Sequence, residues 1–188
     1  GCRCLGLSVF EKIGAERGTV SSACIQCRNP FARLDGVTYL NLPLFDSLAP
    51  ENLGKATANE SDPLLAFYRT ALDTRHMAIR DILSAMAEAP EGTLMFNCTA
   101  GKDRTGLVAA LLLGLAGVER DEIVADYALT AELSPALVAE FLDLSRQNGG
   151  DVVAYERMLR SPAATIQAAL AGLDDRHGDI DGYLQFAG

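Results

Sequence analysis

Histidine is nearly absent from this chain. There are two, His76 and His177, among 188 residues. A histidine-rich metal site is not supported by so few, and neither is a Ser-His-Asp hydrolase. A membrane-spanning run is missing too. The longest apolar stretch, around Leu107 to Gly117, falls short of the roughly 20 residues a bilayer requires. No charged segment followed by an apolar one opens the chain as a secretion signal would. The expectation is a cytoplasmic protein, or one secreted by a route without a recognisable signal peptide. Positive charge is scarce, with 16 Lys and Arg against 25 Asp and Glu, for a net charge of −9. That balance argues against a nucleic-acid binder. Internal repeats, low-complexity tracts and linkers are also missing. Apolar residues make up 49% of the chain, so disorder is not expected. The length suits one domain, residues 1–188, with a sizeable core.

Strand signals come early and helix signals late. Residues 3–9 alternate loosely, and Val37 to Leu42 reads as a strand closed by Pro43. Ser61-Asp62-Pro63 is a capped helix start with proline at the first helical position. Helical spacing of Leu64, Leu65, Tyr68, Leu72, Ile79, Leu83 and Met86 then runs to Pro90, as one long helix or two. Further starts stand at Asp121, Ser134-Pro135, Asp151 and Ser161-Pro162, and Asn148-Gly149-Gly150 ends the helix with the apolar face Leu137 to Leu144. The pattern predicts an α/β domain: a small mixed sheet flanked by helices.

The chemistry concentrates in Asn97-Cys98-Thr99-Ala100-Gly101-Lys102-Asp103-Arg104-Thr105-Gly106. An apolar run, Thr93 to Phe96, enters it, and a strongly apolar helical run from Leu107 leaves it. A tight loop between a strand and a helix N-terminus aims backbone N–H groups at an oxyanion. A cysteine at its base sits in a positive field that favours the thiolate. An arginine six positions later can grip two oxygens of a phosphate. A nucleotide-binding loop is excluded by spacing, because Phe96 stands where the first glycine is needed and Asp103 where Ser or Thr is needed.

These residues resemble the signature loop of the cysteine-dependent protein tyrosine phosphatases, in particular the bacterial and fungal tyrosine and dual-specificity branch with Gly-Lys-Asp-Arg in the loop. Tyr39 to Asp46, Glu122 to Thr130 and Gly178 to Leu184 are similar to other segments of that branch. The resemblance covers residues 30–188. Residues 1–29 fit it poorly: Cys4-Leu5-Gly6-Leu7-Ser8 stands where the family has a strand ending in Asp-Leu-Arg. A rhodanese or an arsenate reductase can also use such a loop, but the Ile123-Val124-Ala125-Asp126-Tyr127 segment and the loop's mid-chain position speak against both.

The resemblance implies the phosphatase fold, with the loop between a central strand and a helix, and hydrolysis through a cysteinyl-phosphate without metal or cofactor. Cys98 is then the nucleophile. Thr99, Ala100, Gly101, Lys102, Asp103, Arg104 and Thr105 form the phosphate site, with Arg104 on the equatorial oxygens and Lys102 at the rim. Thr105 donates to the thiolate. Either Asp103 or Asp46 supplies the leaving group's proton, with Asp103 preferred. Substrates are phosphotyrosine proteins and peptides, then phosphoserine and phosphothreonine, then phosphoinositides, with phosphate and vanadate as ligands. The apolar faces of the helices at 64–86 and 135–160 are candidates for a lid.

Asn97 departs from the pattern, since most members have histidine before the cysteine. Asn donates a hydrogen bond but carries no charge, which leaves a phosphate-binding module with impaired catalysis as an alternative. Cys2, Cys4, Cys24 and Cys27 read as plain reduced thiols, as a zinc site, or as a disulfide that protects Cys98.

Overall fold

A computed structural model describes residues 6–11 (backbone only), 38–44, 61–98 and 100–188. Asp46, Thr99, Cys2, Cys4, Cys24 and Cys27 lie outside the described residues. Strand β1 (Gly6–Glu11) pairs with β2 (Tyr39–Pro43) and with β3 (Leu94–Asn97), in the order β2-β1-β3. Both pairings are antiparallel, with Val9 opposite Leu40 on one side and Phe96 on the other. The mixed sheet expected from sequence is not seen among the described residues, where the sheet is antiparallel throughout. The strand leading into Cys98 is an edge strand there, not a central one. The reason is topological: β2 and β3 both run opposite to the β1 they flank.

Eight described helices follow the strand β2 or the strand β3: α1 (Pro63–Thr74), α2 (His76–Ala87), α3 (Asp103–Leu115), α4 (Arg120–Leu133), α5 (Pro135–Gln147), α6 (Val152–Leu159), α7 (Ala163–His177) and α8 (Ile180–Ala187). The α1–α2 stretch resolves into two helices, broken at Arg75. Thr70 and Thr74 turn their hydroxyls back onto the carbonyls of Ala66 and Thr70, a competition that weakens the helix end. Arg75 then reaches across to the Leu44 carbonyl at 2.9 Å and ties the break to the end of β2.

Helix α3 is apolar nearly all round, as a helix enclosed by others should be. Leu107, Val108 and Leu111 are fully buried in one core with Tyr68 and Leu72 of α1, Ile79 and Ile82 of α2, Ile166 and Leu170 of α7, and Tyr183 of α8. Each such aliphatic side chain contributes about 1.5–3 kcal/mol of burial. This core fixes the N-terminus of α3, where the cysteine loop arrives. Helix α5 behaves differently. None of its residues is fully buried: Leu137, Val138, Phe141 and Leu142 are half-covered and Leu144 is exposed. No described helix is long and apolar enough to cross a membrane.

Candidate active site

Cys98 follows β3 directly and is only 5% exposed. Its N–H donates to Thr105 Oγ1 at 2.8 Å, which closes the loop across its mouth. Gly101 turns the chain with φ 65°, a left-handed conformation natural to glycine. The helix then starts at Asp103, so its free N–H groups and positive dipole end face the loop. Arg104, on the first turn, is buried. Gly106 admits the ring of Tyr127: a Cβ there would lie 2.9 Å from Tyr127 Cδ2.

Burial pushes the Cys98 thiol up, but the Arg104 guanidinium, the Thr105 hydroxyl and the Thr105 and Lys102 N–H groups outweigh it. The net result holds the thiol below its ordinary value. Asn97 supports the same turn, its Nδ2 donating to the Cys98 carbonyl at 3.0 Å. Its Oδ1 is buried without a hydrogen-bond donor among the described residues.

A second cluster surrounds Asp103. Lys102 is 2% exposed, and its ammonium donates to Asp103 Oδ1 at 2.5 Å, Ser161 Oγ at 2.5 Å and the Met158 carbonyl at 3.3 Å. Three protons meet three acceptors. Ser161, in the turn between α6 and α7, is fully buried and stands 3.4 Å from Asp103 Oδ1. Tyr68 and Tyr127 share a buried hydrogen bond of 2.7 Å, and Tyr127 also bonds Ser161. Burial, then the Asp103 charge, hold the Tyr68 hydroxyl well above its ordinary value. Burial pushes Tyr127 up to about 12, against the opposing hydrogen bonds from Tyr68 and Ser161. Tyr155 of α6 is raised by burial and by Asp103. All three tyrosines are thus neutral donors at ordinary pH. Asp62, read as a helix cap, accepts from the Leu64 and Leu65 N–H groups, and its second oxygen accepts from Thr165 at 2.6 Å.

The structure brings Cys98, Ala100, Gly101, Lys102, Asp103, Arg104 and Thr105 into one loop and helix start. Lys102, expected at the rim of the phosphate site, has its ammonium turned onto Asp103, Ser161 and Met158. Sequence reasoning missed Tyr68, Tyr127 and Ser161 as neighbours of the loop, and Thr165 as a partner of Asp62. Tyr68 carried a faint signal as a polar-tipped residue on an apolar face. Ser161 carried none, because Ser-Pro reads as a helix start. The arrangement offers a thiolate, a cradle for a tetrahedral oxyanion and a carboxyl beside it.

Known proteins match this chain over most of its length. The model of the tyrosine phosphatase family matches residues 16–188. A tyrosine-protein phosphatase of Nostoc commune is 31% identical over 162 residues, covering 84% of this chain and 55% of its own length. The triple specificity protein phosphatase PtpB of Mycobacterium tuberculosis is 35% identical over 106 residues, covering 50% of this chain and 38% of its own. The chain spans about half the length of these curated relatives, or less.

Proposed function

The chain belongs to the tyrosine phosphatase family, and we propose that it hydrolyses phosphotyrosine in proteins through a cysteinyl-phosphate on Cys98. The observation that carries this reading is the buried Cys98 thiol, held below its ordinary value beside Arg104 and Thr105. In the first step the Cys98 sulfur attacks phosphorus, and the phenolate leaves with a proton from Asp103. In the second, water attacks phosphorus, Asp103 takes its proton, and Cys98 departs as thiolate with the Thr105 hydroxyl donating to it. Arg104 and the loop N–H groups hold the equatorial oxygens throughout. Asp103 is preferred over Asp46 because it is one residue from Arg104 and within the cluster just described. The fold that goes with this reading is the family's α/β one, with the loop between strand and helix.

Phosphoserine and phosphothreonine come second, favoured by similarity to a relative named for triple specificity. Phosphoinositides come third. That reading needs the Lys102 charge for a second phosphate, and all three protons of its ammonium have acceptors within the protein. Of the two lid candidates, the helices over 64–86 bury their apolar face in the core through Tyr68, Leu72, Ile79 and Ile82, and a lid formed by α5 and α6 stays a proposal, supported by the half-covered face of α5. The impaired binding module is set aside because Asn97 still braces the loop and the thiol is lowered without a histidine before it.

The test is steady-state turnover of para-nitrophenyl phosphate and a phosphotyrosine peptide, with no metal added. Turnover that vanadate blocks and Cys98→Ser abolishes is the expected result. Retention of phosphopeptide without release of phosphate would replace the hydrolase by the binding module.

A further inference from the structure

Ser161 is the one non-glycine residue with positive φ, 44°, among the described residues. It also precedes Pro162, a place where the backbone normally extends. Strain of this kind persists only where the surroundings enforce it, and it gathers at functional sites. Glycine would fit such a turn without strain. What glycine lacks is the hydroxyl, and here the hydroxyl lies 2.5 Å from Lys102 Nζ and 3.4 Å from Asp103 Oδ1.

The geometry of Lys102 makes that hydroxyl matter. Its ammonium is buried, bonded to Asp103 on one side and to the Met158 carbonyl on another, at the C-terminal turn of α6 where a cation is favoured. Without Ser161 Oγ it keeps three protons and two acceptors, with almost no solvent to supply a third. The ammonium must shift, and the Asp103 carboxylate bonded to it shifts too. The other titratable groups facing Asp103 are Tyr68 on α1, Tyr127 on α4 and Tyr155 on α6, with Arg104 next to it in the chain. The tyrosines are neutral, and the Lys102 ammonium is hydrogen-bonded to Asp103.

We propose that Ser161 is a positioning residue for proton transfer: acting through Lys102, it holds the Asp103 carboxyl where it meets the leaving oxygen. This rests on the hydrolase reading above. The turn between α6 and α7 then belongs to the reaction machinery although Ser161 touches no substrate.

Two substitutions separate the hydroxyl from the backbone. Ser161→Ala removes the hydroxyl and keeps the strain; Ser161→Gly removes both. Each is assayed beside the parent, Cys98→Ser and Asp103→Asn on para-nitrophenyl phosphate, whose leaving group departs easily, and on phenyl phosphate, whose leaving group needs a proton. In both serine variants kcat/KM on phenyl phosphate, which reports the first step alone, should fall about tenfold or more, part of the ~10²–10⁴ that a proton-transfer group supplies, while kcat/KM on para-nitrophenyl phosphate changes by less than about twofold. Adding Ser161→Ala to Asp103→Asn should cost nothing further on phenyl phosphate, because both remove one function. Equal losses on the two substrates, or additive losses in the double variant, overturn the proposal and leave Ser161 with a folding role. A loss in Ser161→Ala that Ser161→Gly restores also overturns it, since strain would then be the cause. A parent inactive on both substrates, or an active Cys98→Ser, sinks the hydrolase reading and this proposal with it. The parent's own activity tells the two failures apart.

Discussion

The thiol half of the site and the carboxyl half are built in opposite ways. The cradle of Cys98, Thr105 and Arg104 is one continuous segment, closed by a hydrogen bond spanning seven residues. The surroundings of Asp103 come from α1, α4, α6 and the α6–α7 turn, through contacts such as Lys102 to Ser161 and Tyr68 to Tyr127. Binding an oxyanion thus depends on local backbone geometry, while delivering a proton depends on tertiary packing. Mutations in the first region should remove chemistry without unfolding the chain. Mutations in the second should move stability and proton delivery together.

The largest expected effect is that of Cys98→Ser, which should cut turnover of para-nitrophenyl phosphate by at least ~10⁴-fold, the scale seen when other hydrolases lose their nucleophile. Vanadate binding, followed by calorimetry, should survive, because the cradle is backbone and Arg104. Arg104→Lys comes next, at about 10²–10³-fold in kcat, since a lysine cannot reproduce the fork that holds two oxygens. It should also slow iodoacetate labelling of Cys98 near neutral pH, because the guanidinium is the main charge lowering that thiol.

A smaller effect concerns pH and stability. The folded thiol of Cys98 lies below its ordinary value, so the folded state releases that proton more readily than the unfolded one. Its stabilising share is full above the unfolded thiol value, about 8.5, and is lost as pH falls through the lower folded value. The melting-temperature difference between the parent and Cys98→Ser should therefore shift in the parent's favour as pH rises from the acid side toward that value. A difference that is flat with pH would remove the lowered thiol from the account. Smallest is Tyr127→Phe, which breaks the buried bond to Tyr68 and should cost about 1 kcal/mol in urea unfolding. It should leave the rate of Cys98 labelling unchanged, which would mark the two halves as separable.

The same division governs what could be read from the sequence. The cradle was legible because its chemistry is written in consecutive residues: the spacing of Cys98 and Arg104, Gly101 at the turn and the apolar run beginning at Leu107. The helix starts at Pro63, Pro135 and Val152 were legible from Asp62, Ser134 and Asp151. The sheet was not, because strand direction depends on which partners meet and no residue of β1 or β3 announces that. The break at Arg75 carries no glycine or proline and is fixed by a contact to Leu44. Lys102 was only half legible, since pairing with a nearby carboxylate was open beside the rim reading, for a related reason. In sequence it looks like a charge on a loop, and only the arrival of Ser161 and Met158 turns it inward. Ser161 itself adopts a backbone that Ser-Pro argues against.

The long reach of these contacts has a consequence for a chain still being made. Lys102 and Ser161 are 59 residues apart, which at ~5–20 residues per second is an interval of about 3 to 12 s of synthesis. Thr165, which completes the cap on Asp62, lies 103 residues after it. For nearly all of the wait between Lys102 and Ser161 the segment from Cys98 to Gly106 has already been joined, while the turn that turns Lys102 inward does not yet exist. A nascent chain paused there carries the residues of the anion cradle beside an ammonium that has Asp103 within reach but neither Met158 nor Ser161 to accept its other protons, a combination the finished protein does not present.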